Sequence, residues 1–168
     1  RKRVHMLLLF KDMQVAGKIR HKLVKYGSDS LDISGRPSLT LKVAELIDIV
    51  KQDFEEAMVM YAHVLHPWFG AMGTKNNFES IYDVCEILPD AVETGMSAVV
   101  KMVKGIGEMG RMEVVSFSDA HSPGNIGREV TEFRGSPSWR SIRDGIIAKQ
   151  TDTVEQPSPM GRYHYSGH

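Results

Sequence analysis

One cysteine, Cys85, stands in a chain of 168 residues, so no internal disulfide can form. A single thiol among apolar neighbours reads as a buried core residue rather than a nucleophile. A reducing compartment is therefore expected, intracellular, either the cytoplasm or the inside of a particle. No apolar run is long enough to span a bilayer, and the best candidate, "VHMLLLF", falls far short. That run follows a basic start and superficially imitates a secretory leader. It lacks a small-residue cleavage site, and Lys11 and Asp12 interrupt it at once, so it is read as part of the fold. A start at Arg1 rather than Met is expected of a processed product or a fragment. Internal repeats are absent too, and so is any H-E-x-x-H or Glu-x-x-His pair.

Net charge is also lacking: 21 basic residues balance 21 acidic ones. The balance hides a strong asymmetry. Residues 1–25 carry eight Lys and Arg and one acid, a net of +7. Residues 26–100 carry a net of −8, and the remainder a net of +1. Such a layout points to an anionic partner for the N-terminal segment, to head-to-tail association, or to two segments that face each other within one fold.

With 42% hydrophobic and 25% charged residues, the chain has the composition of a soluble globular domain. Apolar periodicity predicts a mainly α fold: a single helical domain of four to five helices over 1–149, with a small β-hairpin near 99–117 and an extended C-terminal arm over 150–168. The first helix is expected over 4–26 and ends at Gly27. The second, from Leu41 to Leu65, has the clearest apolar stripe and stops at Pro67. Trp68 and Phe69 follow it and are expected to plug the edge of the core. Further helices are expected over 77–88 and 90–104. "RMEVVSF" and "REVTEF" read as short strands or extended segments. "SPSWRSIRDGIIAK" reads as a last helix, capped at Ser136.

Gly105, Gly107 and Gly110 spell G-x-G-x-x-G. A dinucleotide loop needs a helix after the third glycine and a βαβ scaffold around it. "RMEVVSFSD" is too β-branched and too short for that helix, so the glycines read as a helix stop plus a turn, or as the hairpin's loop. No cofactor is expected. Ser116, Ser118, Asp119 and His121 crowd one loop, "SFSDAHSPG", but sequence adjacency does not make a triad. A self-capping polar loop accounts for the same letters. Glu56, His63 and His66 lie near one another if the second segment is helical throughout, and imidazole with carboxylate is a usual zinc or iron set. Further ligands would come from His5, His21 or His121.

The basic residues carry the leading functional expectation. Arg1, Lys2, Arg3, Lys11, Lys18, Arg20, Lys22 and Lys25, with Arg140 and Arg143, form a phosphate-contacting set. In the tail, Met160, Tyr163 and Tyr165 are suited to docking on a neighbouring copy. Together these predict a non-enzymatic, self-associating, nucleocapsid- or coat-like protein. Single-stranded RNA is its favoured partner, and it forms a homo-oligomer or larger assembly with no membrane span. The alternatives are a helical metal-dependent enzyme using Glu56, His63 and His66, and a protein–protein interaction subunit whose acidic helices dock a basic partner.

Overall fold

The computed structural model describes residues 2–27 and 37–155. It is an α/β structure rather than a helical domain. Four strands, β1 (Met6–Leu9), β2 (Met58–Tyr61), β3 (Ala91–Glu93) and β4 (Glu113–Val115), form one sheet in the order β1-β2-β3-β4. β1 runs antiparallel to β2, whereas β2, β3 and β4 are mutually parallel. A separate antiparallel pair, β5 (Val130–Phe133) and β6 (Thr151–Val154), packs beside the sheet.

The helices are shorter than the sequence predicts, because each long apolar stripe contains a strand. The expected helix over 4–26 divides into β1 and α1 (Met13–Leu23), and Asp12 makes the break. Its carboxylate accepts the backbone N–H groups of Gln14 and Val15 at 2.9 Å each, which caps α1. The stripe from Leu41 to Leu65 divides into α2 (Val43–Asp53) and the wholly buried β2. α2 begins where the Glu45 carboxylate accepts the Lys42 N–H at 2.6 Å. Only one turn, α3 (Ile81–Val84), forms in the expected third helix. The fourth becomes β3 followed by α4 (Val100–Lys104). No hairpin spans 99–117, since α4 and β4 occupy that stretch and β4 pairs in parallel with β3. The last helix, α5 (Trp139–Ile147), forms as expected but is capped by Ser138 rather than Ser136.

Side-chain alternation along the strands builds a core on both faces of the sheet. Met58, Met60, Ala91 and Val115 point to one face, where Ile146 of α5 covers them. Tyr61, Val92 and Val114 point to the other, against Val103 of α4, Ile81 of α3 and Met109. Val59 packs with Ile19 and Leu23 of α1 and Leu46, Ile47 and Val50 of α2. Burying each such large apolar side chain contributes roughly 1.5–3 kcal/mol. A half-buried polar clamp fixes α2 to the sheet. Lys51 Nζ donates to the Ala57 carbonyl at 2.9 Å and to Asp90 at 2.7 Å, while Asp90 accepts the Val59 N–H at 2.8 Å.

Residues 151–154, expected in a patternless arm, instead make β6, which is anchored to β4 where Glu113 accepts the Thr151 N–H at 3.2 Å. Met160, Tyr163 and Tyr165 lie outside the described residues, as does Arg1. The glycine triplet ends α4 and carries the turn into β4: Gly105 N–H closes on the Lys101 and Met102 carbonyls, and Gly107 adopts φ +31°. It therefore precedes a strand, the reverse of a dinucleotide loop. No helix among the described residues is long and apolar enough to cross a membrane.

Candidate active site

Parallel strands bring the loops at their C-terminal ends to one edge of the sheet, where α/β folds usually place their ligands. β2 delivers His63 and His66 to this edge, β3 ends on Glu93, and β4 leads to Ser116, Ser118 and Asp119. Because β1 is antiparallel, its start arrives at the same edge. Met6 pairs with Tyr61, and the Ala62 N–H donates to the His5 carbonyl at 3.2 Å.

Glu93 is the centre of the arrangement. It is 4% exposed, and its two oxygens take three backbone N–H groups: His63 at 2.8 Å, Gly95 at 2.6 Å and Phe117 at 3.3 Å. Burial pushes its carboxyl up to about 7, Asp119 pushes in the same direction, and the three N–H donors hold it back. His63 stands against it. Burial, then the neighbouring His5, draws its imidazole down to about 4, so it is neutral at physiological pH. His63 Nε2 lies 3.0 Å from His5 Nδ1, one of the two carrying the proton, and its ring centroid is 5.0 Å from that of His66. His63 Nδ1 is buried and has no hydrogen-bond partner among the described residues. Burial lowers the His66 imidazole as well, and the charge of Asp119 opposes this at both rings. His121 Nδ1 lies 2.9 Å from the Asp119 carbonyl, at the rim.

The backbone around these groups is held in uncommon conformations. His63 (φ +31°), Met96 (φ +62°) and Asp119 (φ +43°) are non-glycine residues in the left-handed region. Such residues persist where the surroundings over-determine them, and they gather at functional sites. Gly95, at φ +58°, permits the approach of β3 to His63. A Cβ there would sit 2.3 Å from His63 Cβ. The loop after β4 is pinned by Ser118, whose Oγ donates to the Glu129 carbonyl at 3.0 Å and accepts the Gly127 N–H at 2.8 Å.

Neutral imidazoles and carboxylates are the donor types of zinc, manganese and iron sites. As the described side chains stand, no three of these donors are drawn close enough together to hold an ion. The unpartnered, buried Nδ1 of His63 is nonetheless what a metal ligand without its metal presents, since an orphaned buried imidazole nitrogen is otherwise costly. His63, His66, Glu93 and Asp119 share this strand edge, with Asp119 acting electrostatically on the other three, without forming a closed ligand set as they stand.

Of the sequence-derived metal set, His63 and His66 come together and Glu56 does not. Glu56 precedes β2 instead of sharing a helix with the histidines. It is exposed at the opposite end of the strand, 3.5 Å from Lys11. The basic residues are spread over several elements and partners. Lys11 pairs with Glu56, and Lys22 pairs with Asp53. Lys18, Arg20 and Lys25 are exposed on or just after α1, with Lys25 over the Tyr26 ring at 4.9 Å. Arg140 and Arg143 both approach Asp144, at 3.5 and 3.6 Å. Lys2 and Arg3 stand apart, next to His5 at the cluster edge: Lys2 Nζ lies 3.8 Å over the Phe78 ring, and the Arg3 backbone bonds Asn76. Glu93 carried no motif of its own in the sequence. Asp119 and His121 were visible there only as a polar loop, and the available signal was that "AVE" and "EVVSFSD" are each a short apolar run ending in an acid.

No family model matches the chain. A stretch of 59 residues is 43% identical to an uncharacterised protein of Methanocaldococcus jannaschii, covering 34% of this chain and 8% of that protein. Two crystal structures of endonuclease Q are similar over 96% of the chain. One is the lesion-specific endonuclease of Pyrococcus furiosus, at a TM-score of 0.77 and 25% identity over 41% of its length. The other is endonuclease Q in complex with a 27-mer duplex substrate that carries an abasic lesion at the active site, at a TM-score of 0.80 and 26% identity over 42% of its length. The chain thus spans about two fifths of the solved structures it matches. These likenesses, with the sheet topology, overturn the expectation of an all-α, non-enzymatic, nucleocapsid-like protein.

Proposed function

We propose that the chain is the catalytic portion of a divalent-cation-dependent nuclease that cuts duplex DNA beside a damaged or missing base. The observation that carries this reading is the histidine–carboxylate cluster at the C-terminal strand edge of a chain that is similar over 96% of its length to endonuclease Q. A bound cation would be held by His63, His66, Glu93 and Asp119, and would polarise the scissile phosphodiester and acidify a water.

The chain's own groups supply the rest. His63 is neutral across physiological pH, and in the tautomer that carries its proton on Nε2, facing His5 Nδ1, its Nδ1 lone pair is available without the removal of a proton. Glu93 is oriented by three backbone N–H groups, which fix its oxygens before any ligand arrives. His5 and His121 are exposed at the rim, placed to pass protons between solvent and the reacting groups.

The test is a cleavage assay on a 5′-labelled duplex oligonucleotide with one abasic site, run beside the intact duplex and a single-stranded RNA, in Mg²⁺, Mn²⁺, Zn²⁺ or EDTA. Cation-dependent nicking of the lesion-bearing strand, abolished by His63→Ala and by Glu93→Gln, is expected. Absence of cleavage with every cation, together with no metal retained by the purified protein, would overturn the proposal.

A further inference from the structure

The loop after His66 carries two exposed aromatic side chains. Trp68 is 43% exposed and Phe69 38%. The sequence suggested that they plug the core, but they face outward, and the loop beneath them is tightly built. The Gly70 N–H donates to the His66 carbonyl at 3.0 Å, Met72 N–H to Val64 at 2.9 Å, and Lys75 N–H to Pro67 at 2.8 Å. Asn76 is 1% exposed and donates to the carbonyls of Arg3 at 2.7 Å and Gly70 at 2.8 Å. A Cβ at Gly73 would lie 2.0 Å from the His66 carbonyl oxygen, so the loop closes directly onto the backbone of His66. Two large aromatics are thus held outward on a rigid support rather than on a frayed segment.

Their surroundings are those of the cluster. The Phe69 ring stacks on His5 with centroids 4.7 Å apart and planes 6° from parallel. The backbone N–H of Trp68 donates to His66 Nδ1 at 3.3 Å. Lys75 Nζ lies 4.8 Å from the Trp68 ring centroid, and Lys2 is exposed on the same side of the cluster. An exposed indole beside a cation and next to a hydrolytic centre has the composition of a single-strand nucleic-acid platform, in which bases stack on aromatics and lysines follow the phosphates.

We propose that Trp68 is the stacking platform for a nucleobase of the substrate strand next to the scissile position, with Lys75 contacting the adjoining phosphate. This inference rests on the nuclease reading for its substrate class, and it adds a base-contacting residue that the cluster itself does not supply. Every base has a π face, so the platform accepts any neighbouring base and contributes affinity rather than sequence preference.

The experiment uses the two tryptophans of the chain, Trp68 and Trp139. Trp139 packs in the core cluster formed with Met58 and Ile146, away from the cluster edge, so Trp139→Phe leaves Trp68 as the sole indole. Emission of that variant is titrated with the abasic-site duplex in EDTA. In parallel, KM and kcat on the same duplex are measured for Trp68→Ala, Trp68→Phe and Lys75→Ala. The expected result is quenching of Trp68 at saturating duplex. KM should rise about 5- to 150-fold in Trp68→Ala with kcat little changed, and Trp68→Phe should recover most of the loss. If the wild type cleaves, Trp68 emission is unaltered and Trp68→Ala keeps its KM within about twofold, the platform is refuted and the nuclease reading stands. If nothing is cleaved but Trp68 is quenched by the duplex, the platform is supported and the nuclease reading fails. If neither occurs, both fall.

Discussion

Replacing Gly95 by alanine should damage this protein far more than the same change at Gly17. Gly95 has φ +58°, and a Cβ added there would lie 2.3 Å from His63 Cβ and 2.8 Å from His63 Cα. The left-handed conformation costs an alanine about 1–2 kcal/mol. Relieving the overlap requires the turns after β3 and β2 to move apart, at a cost of about 1–3 kcal/mol. The sum, roughly 2–5 kcal/mol, is a large share of the stability of a domain this size. With a urea slope of about 2 kcal/mol per molar, the midpoint should fall by roughly 1–2.5 M. Gly17 is the control. It lies within α1, a Cβ there meets nothing within 4 Å, and Gly17→Ala should raise stability by about 0.5–1 kcal/mol through helix propensity. Parallel urea titrations of the three proteins decide the matter. If Gly95→Ala unfolds within about 0.3 M of the parent, or Gly17→Ala is the more damaging, the claimed contact between β3 and His63 does not govern this edge.

Two opposing pH effects should appear in the metal-free protein. The Glu93 carboxyl, at about 7 rather than 4.5, makes the folded chain bind more protons than the unfolded one. Its contribution, about 3 kcal/mol, is therefore lost as pH climbs from 4.5 through 7. His63, at about 4 rather than 6.5, binds fewer protons when folded, so its contribution is present above 6.5 and lost as pH falls toward 4. Urea midpoints at pH 5 and pH 7.5 should accordingly fall with rising pH in His63→Gln, rise in Glu93→Gln, and move less in the parent than in either. The basic residues give a further contrast. Lys18→Ala and Lys22→Ala, on the far helix, should leave duplex affinity within about twofold, whereas Lys75→Ala should reduce the slope of log K against log salt by about one. Anisotropy titrations at several salt concentrations distinguish these outcomes.

The sequence read helices where the structure alternates helix and strand, and the reason lies in β2. All four of its residues are buried, because both faces of the sheet are covered. A strand buried on both faces has no period of two, so Met58 to Tyr61 simply extend the apolar stripe of α2. β1 merges with α1 in the same way, and β3 and β4 are only three residues long. α5 was legible because one amphipathic face and a capping serine specify it locally, although the cap is Ser138 rather than Ser136. In the candidate site, His63 and His66 were legible as a spacing, but their partner was misplaced by assuming a continuous helix. Glu93 and Asp119 are 26 residues apart and meet only because β3 and β4 lie side by side, a pairing that no local pattern records. The N-terminal charge was legible as a composition, and its meaning was not. Lys11 and Lys22 pair with acids at the end of α2, the intramolecular option that the charge map left open.

Each parallel strand is followed, two, three or four residues on, by a left-handed residue: His63, Met96 and Asp119. His63, Glu93 and Asp119 sit at or before these turns, so the connections beyond can change length without moving them. The loop from 66 to 77 is the exception, since Gly73 and Asn76 tie it to the backbone of His66 and to the first strand's approach. Chemistry and substrate preference are therefore separable traits around most of this edge, open to independent variation, and a single inherited unit at Trp68.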